Sequence, residues 1–480
     1  MLLGTALFVT GCQLDNKQAP TTTTEQVASI PAEQIPVPDA APPIVGERTV
    51  APPSSEITAP ADPIPVQNLP SDLPTLAPYL YKTQGMAALN QPRAPVPPPA
   101  SSDAVRVAIL LPLSGTNANF GQALLNAAEL ALFDFADTKF ELIVHDTKGT
   151  SRGAAEAASL AIGDGARLIL GPLLAGSVRA AAPAAQAANV PIISFSSDVT
   201  VAGDGIYVMG FAPGVEVERV IRFANTSGMQ RFAALVPDNA EGQAVVTALR
   251  GVISRLGAEI SAIQYYDPYA SDFSAPVRVL ADYDARRKEL MDQIKELEAH
   301  DDDVAKQALK RLEQLHTIGD LPYEALLLAD GGKRLQSVAA LLPFFDIDPS
   351  KVQMLGTGRW DVASVGTEPA LIGGWYAAPP PEARREFEER YTATFKSKPP
   401  RLATLAYDAL ALSSLLAQAE GGVDFSPATI MSSSGYWGRD GIFRFRPEGV
   451  IERGLSVLKV ERGANTVISA APDSFQGLVN

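Results

Sequence analysis

The sequence predicts an α/β protein with two lobes, each a doubly wound and mostly parallel sheet, preceded by a disordered proline-rich tether. Apolar segments alternate with amphipathic segments from residue 104 onward, the alternation runs through two cycles, and 19 of the 39 prolines fall within residues 13–103. Alternating strands and helices are typical of an open parallel sheet. Proline-rich sequence without apolar periodicity buries too little surface to fold.

Composition and charge exclude several classes of protein. The chain has 480 residues, of which 46% are hydrophobic, and it carries a net charge of −15. A chain this acidic is repelled by phosphate backbones, so we expect no nucleic-acid partner. A single cysteine allows no internal disulfide, and His145, His300 and His316 lack the spacing of metal ligands. We therefore predict no metal site and no cofactor.

The N-terminus is typical of an exported protein. Residues 2–9 form a mostly apolar run that is too short to span a membrane and ends at Val9-Thr10-Gly11-Cys12. This motif looks like the lipobox of bacterial lipoproteins, in which the cysteine is lipidated. We predict a signal peptide over residues 1–11, lipidation at Cys12 and a tether over residues 12–103. The alternative is an ordinary apolar start with a chance cysteine.

The body is predicted to begin with Val105–Leu111, a continuous apolar run that suits a strand buried on both faces. The first cycle adds strands at 140–145, 168–170 and 190–195 and helices at 121–135, 154–162 and 177–188. The second cycle has helices at 215–225, 242–256 and 335–342 and strands at 231–236, 258–266, 325–328 and 353–356. Two such cycles predict two lobes, with lobe 1 at about 104–222 and 370–430 and lobe 2 at about 223–369 and 431–465.

A highly charged segment, residues 281–318, interrupts the second cycle. Two narrow apolar seams, one of Leu290, Ile294 and Leu297 and the other of Leu309, Leu312 and Leu315, have helical spacing. We predict a helical hairpin whose arms pack seam to seam, and the alternative is a solvated insertion without a role.

Several segments, in order, resemble leucine/isoleucine/valine-binding (type I periplasmic) proteins. These are ILLPLSG at 109–115, AAELA at 127–131, ILGP at 169–172, VPIIS at 190–194 and the closing segment at 438–455. The resemblance implies a two-lobed type I periplasmic-binding-protein fold over residues 104–465, followed by a tail at 466–480.

The candidate ligand site follows from the fold, because ligands of open α/β sheets bind beyond the carboxyl ends of the strands. The resemblance further implies that Ser177 and the loop at 194–197 grip the carboxylate of a ligand. The alternative is that the serines only cap helices. The candidate site residues are Ser114, Ser177, Ser194, Ser196, Ser197, Asp238 and Asp330.

Lobe 2 departs from the amino-acid binders at two turns. Ala240-Glu241 precedes Gly242 where a tyrosine is common, and Lys333-Arg334 follows a glycine pair where aromatic residues are usual. A basic pair is poorly placed to receive an ammonium group and suits an anion or solvent. This departure argues against binding of a free amino acid.

The chain is also similar to the penicillin-binding-protein activator lipoproteins, through its lipobox, tether, charged insertion and residues 322–358. That similarity implies a non-enzymatic activator, anchored in the outer membrane, whose partner is a peptidoglycan synthase. Gln13 after the lipidated cysteine favours outer-membrane sorting by the same similarity. The alternative is a solute-binding lipoprotein of an importer. No nucleophile elbow, phosphate-binding loop or dinucleotide motif supports an enzyme.

Overall fold

A computed structural model describes residues 104–300, 302–419 and 421–475. The predicted signal peptide, the tether and the lipidation site at Cys12 lie outside the described residues.

The described strands are β1 (Val105–Leu111), β2 (Phe140–Asp146), β3 (Leu168–Leu170), β4 (Ile192–Ser194), β5 (Ile206–Val208), β6 (Arg231–Pro237), β7 (Glu259–Tyr266), β8 (Ala325–Leu328), β9 (Gln353–Gly356), β10 (Trp375–Ala378), β11 (Tyr436–Gly438), β12 (Gly441–Phe445), β13 (Ile451–Arg453), β14 (Ser456–Lys459) and β15 (Thr466–Ser469). The described α-helices are α1 (Ala118–Phe135), α2 (Ser151–Gly163), α3 (Ala175–Ala187), α4 (Pro213–Thr226), α5 (Ala240–Leu256), α6 (Ser274–Leu280), α7 (Tyr283–Glu298), α8 (Asp303–Leu312), α9 (Gly332–Phe344), α10 (Pro381–Phe395), α11 (Ala403–Ala417) and α12 (Pro427–Ile430).

Lobe 1 is built on a parallel sheet with the strand order β2-β1-β3-β4-β5. Successive side chains of β1 alternate between two cores, as the pleat of a strand requires. Ile109 and Leu111 pack with α1 and α11, whereas Ala108 and Leu110 pack with α2 and α3. The continuous apolar run of β1 therefore reflects burial on both faces, as predicted.

Lobe 2 is built on a sheet with the order β15-β14-β10-β9-β8-β6-β7. Its strands are parallel from β7 to β10, and β14 and β15 are antiparallel additions. Phe232 and Val236 of β6 pack with α4 and α5, whereas Ala233 and Leu235 pack on the α9 side. The predicted fold class is thus confirmed: two α/β lobes with mostly parallel sheets.

Three crossovers connect the lobes, at residues 209–212, 379–380 and 454–455. A small antiparallel sheet of β11, β12 and β13 lies on the lobe 1 side of the last crossover. Its Phe445 ring is 5.4 Å from that of Tyr207 on β5, between ring centroids. The residues before this crossover therefore pack with lobe 1, and those after it pack with lobe 2.

The lobe boundaries differ from those predicted by sequence. Helix α4 packs on α5 and β10, so lobe 2 begins near residue 213 rather than 223. Strand β10 lies in the lobe 2 sheet, although residues from 370 were assigned to lobe 1. Conversely, β11 to β13 pack with lobe 1, although residues from 431 were assigned to lobe 2. Short strands of this kind lack the periodicity that would assign them to a sheet.

The charged insertion forms the helices α7 and α8, which pack against each other. Leu290 is buried, Ile294 and Leu297 are half-buried, and so are Leu309 and Leu312. Leu315 lies beyond the end of α8 and is exposed, so the second seam is shorter than predicted. Within the described ranges, no helix is both long and apolar enough to cross a membrane.

Candidate functional site

The predicted site residues lie in the turns at the carboxyl ends of the parallel strands. Two glycines let the next helix start against the strand end. A Cβ atom on Gly121 would lie 2.1 Å from the Pro112 carbonyl oxygen, and one on Gly242 would lie 1.9 Å from that of Pro237. Only glycine fits such an approach, so the sequence itself holds the N-termini of α1 and α5 close to β1 and β6.

Ser114 follows β1 and is exposed, but its hydroxyl already has a partner. It donates to Asp146 Oδ2 at 2.6 Å, while Asp146 Oδ1 accepts from the backbone N–H groups of Leu113 and Lys148. Burial alone would raise the pKa of Asp146, but these hydrogen bonds outweigh it and lower the pKa. The charged Asp146 therefore fixes the two turns that follow β1 and β2.

Ser177 lies in the first turn of α3 and is buried. Its hydroxyl is 3.4 Å from the carbonyl oxygen of Thr150, whose own side chain caps α2 by accepting from the Gly153 N–H. The side chain thus joins the start of α3 to the start of α2. Its role as a ligand contact stays a prediction.

The serines at the end of β4 have different surroundings. Ser194 is buried, donates to the Pro172 carbonyl oxygen at 3.2 Å and accepts from the Ser196 N–H at 3.0 Å. Ser196 is also buried, and its hydroxyl accepts from the Asp198 N–H at 3.1 Å. Ser197 is exposed, and its hydroxyl has no hydrogen bond to any described residue. Of the five candidate serines in lobe 1, Ser197 is therefore the one whose hydroxyl is both accessible and without a hydrogen bond to the described residues.

The two predicted lobe 2 residues also differ. Asp238 is exposed after β6, where its N–H donates to the Tyr266 carbonyl oxygen at 2.7 Å. Asp330 is buried and saturated: it accepts from Arg334 Nε at 2.7 Å, from the Tyr266 hydroxyl at 2.5 Å and from the Gly331 N–H at 2.7 Å. Burial would raise the pKa of Asp330, but these donors lower it. Asp330 is consequently a charged structural group rather than a free acceptor.

Two of the residues at which lobe 2 departs from the amino-acid binders, Glu241 and Arg334, form ion pairs. Arg334 is held by Asp330, and Glu241 at the start of α5 forms a two-point ion pair with Arg359, which follows β9. Arg359 is 118 residues from Glu241 in the chain. Sequence analysis identified Glu241 but missed its partner, because no spacing rule connects residues that follow different strands of a sheet.

Glu216 lies where the lobes meet, in the first turn of α4. It accepts from the Gly358 N–H at 2.8 Å, and although the residue is partly exposed, its carboxyl group is surrounded by protein. Burial raises the pKa of Glu216 to about 7, and the Gly358 N–H and the nearby Arg401 guanidinium limit the rise. Arg401 precedes α11 of lobe 1 and lies 4.0 Å over the ring of Phe211 in the first crossover.

A buried polar cluster adjoins Arg401. Asp440 lies 2.9 Å from the Arg401 guanidinium, and Asp408 accepts from the Arg439 N–H at 2.8 Å. Burial, together with the charge of Asp440, raises the pKa of Asp408, and burial lowers the pKa of Arg453. Sequence analysis missed this cluster. Its one signal is the charged pair Arg439-Asp440 in the turn between β11 and β12.

The described residues thus bring the candidates together in two groups, the turns of lobe 1 and the turns of lobe 2. No group of three or more His, Cys, Asp or Glu side chains within these ranges is arranged to hold a metal ion. Paired α/β lobes, three crossovers and polar turns at the strand ends define the class: a two-lobed binding protein.

Comparison with known proteins agrees with this class. The sequence profile of the periplasmic binding protein family matches residues 104–463. The chain therefore belongs to the periplasmic binding protein family, a family of binding proteins, and membership implies a periplasmic location.

Solved structures share the fold at low identity. A putative branched-chain amino acid ABC transporter protein from Rhodospirillum rubrum is 17% identical with a TM-score of 0.60, covering 76% of this chain and all of that one. A solute-binding protein from Rhodopseudomonas palustris, in complex with 3,4-dihydroxybenzoic acid, is 19% identical with a TM-score of 0.54, covering 78% of this chain and all of that one.

An uncharacterized protein of Rickettsia prowazekii is 22% identical over 174 residues. That match covers 36% of this chain and less than half, 46%, of the Rickettsia protein.

Proposed function

We propose that this chain is a solute-binding protein of an importer, and that its lobes close on a small ligand that carries a carboxylate but no α-ammonium group. The observation that carries this proposal is that the Asp330 carboxylate already accepts hydrogen bonds from protein donors. A free amino acid needs an acceptor for its ammonium group, and the buried carboxylate at the lobe 2 strand ends is already saturated by Arg334, Tyr266 and Gly331.

Lobe 1 offers the matching donor. The Ser197 hydroxyl is exposed at the carboxyl end of β4 and has no partner among the described residues. A carboxylate that accepts from an available hydroxyl and from backbone N–H groups is held without a new buried charge pair. The Rhodopseudomonas relative binds 3,4-dihydroxybenzoic acid, which is a carboxylic acid without an amino group.

Thermal shift and calorimetry on the full chain test this proposal. We expect aromatic and aliphatic carboxylates to raise the melting temperature and leucine or isoleucine to leave it unchanged, since a ligand of the folded state stabilises it. Ser197→Ala should weaken binding about tenfold. Ser159→Ala, an exposed serine on α2, is the matched control and should bind like the parent. Stabilisation by amino acids alone would contradict the proposed ligand class.

A second candidate function, activation of a penicillin-binding synthase by protein contact, is favoured by the α7–α8 hairpin. Two of its apolar side chains point into solvent: Met291 is 50% exposed and Val304 is 78% exposed. Exposed apolar groups on this charged insertion suit a protein partner. In this proposal a lipid on Cys12 anchors the chain in the outer membrane, and the tether raises the local concentration of the body near the synthase.

A pull-down with purified penicillin-binding synthases, together with a glycan-polymerisation assay, tests the second candidate. Val304→Glu should abolish both binding and stimulation, whereas Leu160→Glu on lobe 1, where Leu160 is 59% exposed, should not. The absence of any binding or rate change with the parent chain would eliminate it. Labelling with radioactive palmitate, with Cys12→Ser as control, tests the anchor.

A further inference from the structure

Residues 470–475, named here the clasp segment, leave lobe 2 after β15 and end in lobe 1. Strand β15 is hydrogen-bonded to β14 in the lobe 2 sheet, and Phe475 is buried beside the small sheet of lobe 1. Sequence analysis assigned residues 466–480 to a tail outside the body. The structure corrects this for residues 466–475, because β15 extends a sheet and Phe475 is 2% exposed.

The lobe 2 end of the clasp segment is held by Arg219 on α4. Its Nη2 donates to Ser469 Oγ at 2.7 Å and to the Ala470 carbonyl oxygen at 3.2 Å, while its Nε donates to the Leu455 carbonyl oxygen at 2.8 Å. One guanidinium therefore joins α4, the last crossover and the start of the clasp segment. The planar, five-donor geometry of arginine suits such a multiple contact.

The middle of the segment runs along the last crossover. The Ala471 N–H donates to Ser456 Oγ at 3.1 Å, and a Cβ atom on Gly454 would lie 3.2 Å from the Pro472 carbonyl oxygen. The absence of a side chain at Gly454 therefore lets the segment lie against the crossover.

Within the described residues, the lobe 1 end is held by the side chain of Phe475. The Phe475 ring lies against the backbone of Gly435, where a Cβ atom would be 2.8 Å from it, and the Arg444 guanidinium covers the ring at 4.5 Å from its centroid. Arg444 is itself oriented by Glu452 at 2.6 Å. Gly435 has φ of +72°, a conformation that favours glycine, so the surface on which Phe475 lies is built into the turn before β11.

We propose that the clasp segment is a fourth, releasable connection between the lobes that limits their relative motion. The three crossovers are covalent on both sides and cannot detach. Within the described residues, the clasp segment is covalently continuous with lobe 2 and contacts lobe 1 through the side chain of Phe475. Rotation of the lobes changes the distance between Arg219 and the Phe475 pocket, so an attached clasp resists that rotation and a detached clasp permits it.

Spin-label distance measurements across the lobes test the clasp. Labels are placed on Leu160→Cys in lobe 1 and Val279→Cys in lobe 2, both exposed, in a full chain carrying Cys12→Ala. Phe475→Ala breaks the lobe 1 end, and Arg219→Met breaks the lobe 2 end. We expect each to broaden the distance distribution and to shift its mean.

The double variant separates a clasp from two unrelated packing defects. If the clasp ties the lobes, breaking either end releases it fully, so the double variant should give the same distribution as either single variant. Val467→Ala on β15 and Arg222→Met, one turn along α4 from Arg219, are the matched controls and should keep the parent distribution.

Two results would overturn the proposal. One is an unchanged distance distribution in both single variants, and the other is a double variant whose distribution broadens by the sum of the changes in the two single variants. Circular dichroism confirms that each variant is folded. If Phe475→Ala fails to fold, Phe475→Leu replaces it, and the Arg219→Met arm stands independently. The readout does not depend on any ligand, so its failure is distinct from failure of the proposed solute-binding function.

Discussion

At the scale of single residues, the lobe 2 strand ends are stabilised by groups that sequence analysis assigned to ligand binding. Asp330 accepts from a guanidinium, a phenol and a backbone N–H, and it is buried. Removing one partner of such a set leaves buried donors without acceptors, which costs more than the bonds themselves contribute.

Asp330→Asn should lower the free energy of unfolding by about 2 kcal/mol, because Arg334 and Tyr266 lose a charged acceptor. Urea unfolding measures the change. Glu141→Gln removes the partner of Arg106 in a partly exposed ion pair and should cost less than about 0.5 kcal/mol. Equal effects of the two substitutions would show that Asp330 is not a structural group.

Glu216 should make stability depend on pH. Burial raises its pKa in the folded chain from 4.5 to about 7, so the folded state holds a proton that the unfolded state releases earlier. This contribution is fully present below the unfolded pKa and is lost as pH rises through about 7. Glu216→Gln should therefore gain stability relative to the parent between pH values of about 5 and 8.

Unfolding free energies of parent and variant, measured across this range, check the prediction. The raised pKa of Asp408 affects both proteins and cancels in the difference. Glu156→Gln is the control: the hydrogen bond from Arg152 lowers the pKa of Glu156, so its charge is constant over this range. A constant difference between parent and Glu216→Gln would refute the assignment.

At the scale of elements, helix α7 of the charged insertion has a single buried side chain, that of Leu290. Leu290 is 1% exposed, whereas its neighbour Met291 is 50% exposed. One side of α7 is therefore covered by protein, and the adjacent side is in contact with solvent.

Leu290→Ala should reduce the free energy of unfolding by about 3 kcal/mol, the cost of a cavity in a packed site. Met291→Ala should change it by less than about 0.5 kcal/mol, because an exposed side chain leaves no cavity. Chemical denaturation of both variants makes the comparison. A large loss of unfolding free energy in Met291→Ala instead would show that Met291, and not Leu290, lies on the buried side of α7.

Periodicity predicted the elements that carry a clear apolar pattern and missed those that do not. Strand β1 and helix α5 were predicted because each has its characteristic repeat. Helix α11 was missed because nearly all its residues are buried, between α1 and the lobe 1 sheet, and a helix that is apolar on all sides has no period. Strands β5 and β10, of three and four residues, were also missed.

The candidate site was predictable in position and not in detail. Ser194 ends β4, and Ser197 and Asp330 follow β4 and β8, as the apolar runs before them indicated. Contacts between turns decide which serine hydroxyl is buried. They also decide that Arg334 donates to Asp330. Arg359 and Arg401 contact residues that are distant in the chain, so no local sequence pattern identifies them.

At the scale of the whole molecule, side-chain contacts reinforce the crossovers. Asp361 follows β9 in lobe 2 and forms an ion pair with Arg384 at the start of α10 in lobe 1. Both side chains are largely buried, and Tyr376 donates to the same carboxylate at 3.4 Å. The pair spans the crossover at residues 379–380.

Arg384→Met should destabilise the protein by about 3 kcal/mol, because it leaves Asp361 buried without its counter-charge. Arg278→Met, which removes an exposed ion pair with Asp284, should cost less than about 0.5 kcal/mol. Urea unfolding separates the two outcomes, and a small effect of Arg384→Met would mean that the crossovers alone hold the lobes in register.

The threefold passage of the chain between the lobes has a consequence for biosynthesis. The Tyr407 hydroxyl on α11 donates to Asp134 on α1, which precedes it by 273 residues. When β1 to β5 of a nascent chain are complete, more than half of the remaining body must therefore still be synthesised before α11 can cover α1. Long-range closure of this kind slows folding and leaves apolar surface accessible. The second lobe, most of which is continuous from residue 213 to residue 378, is expected to acquire structure first, although it is synthesised later.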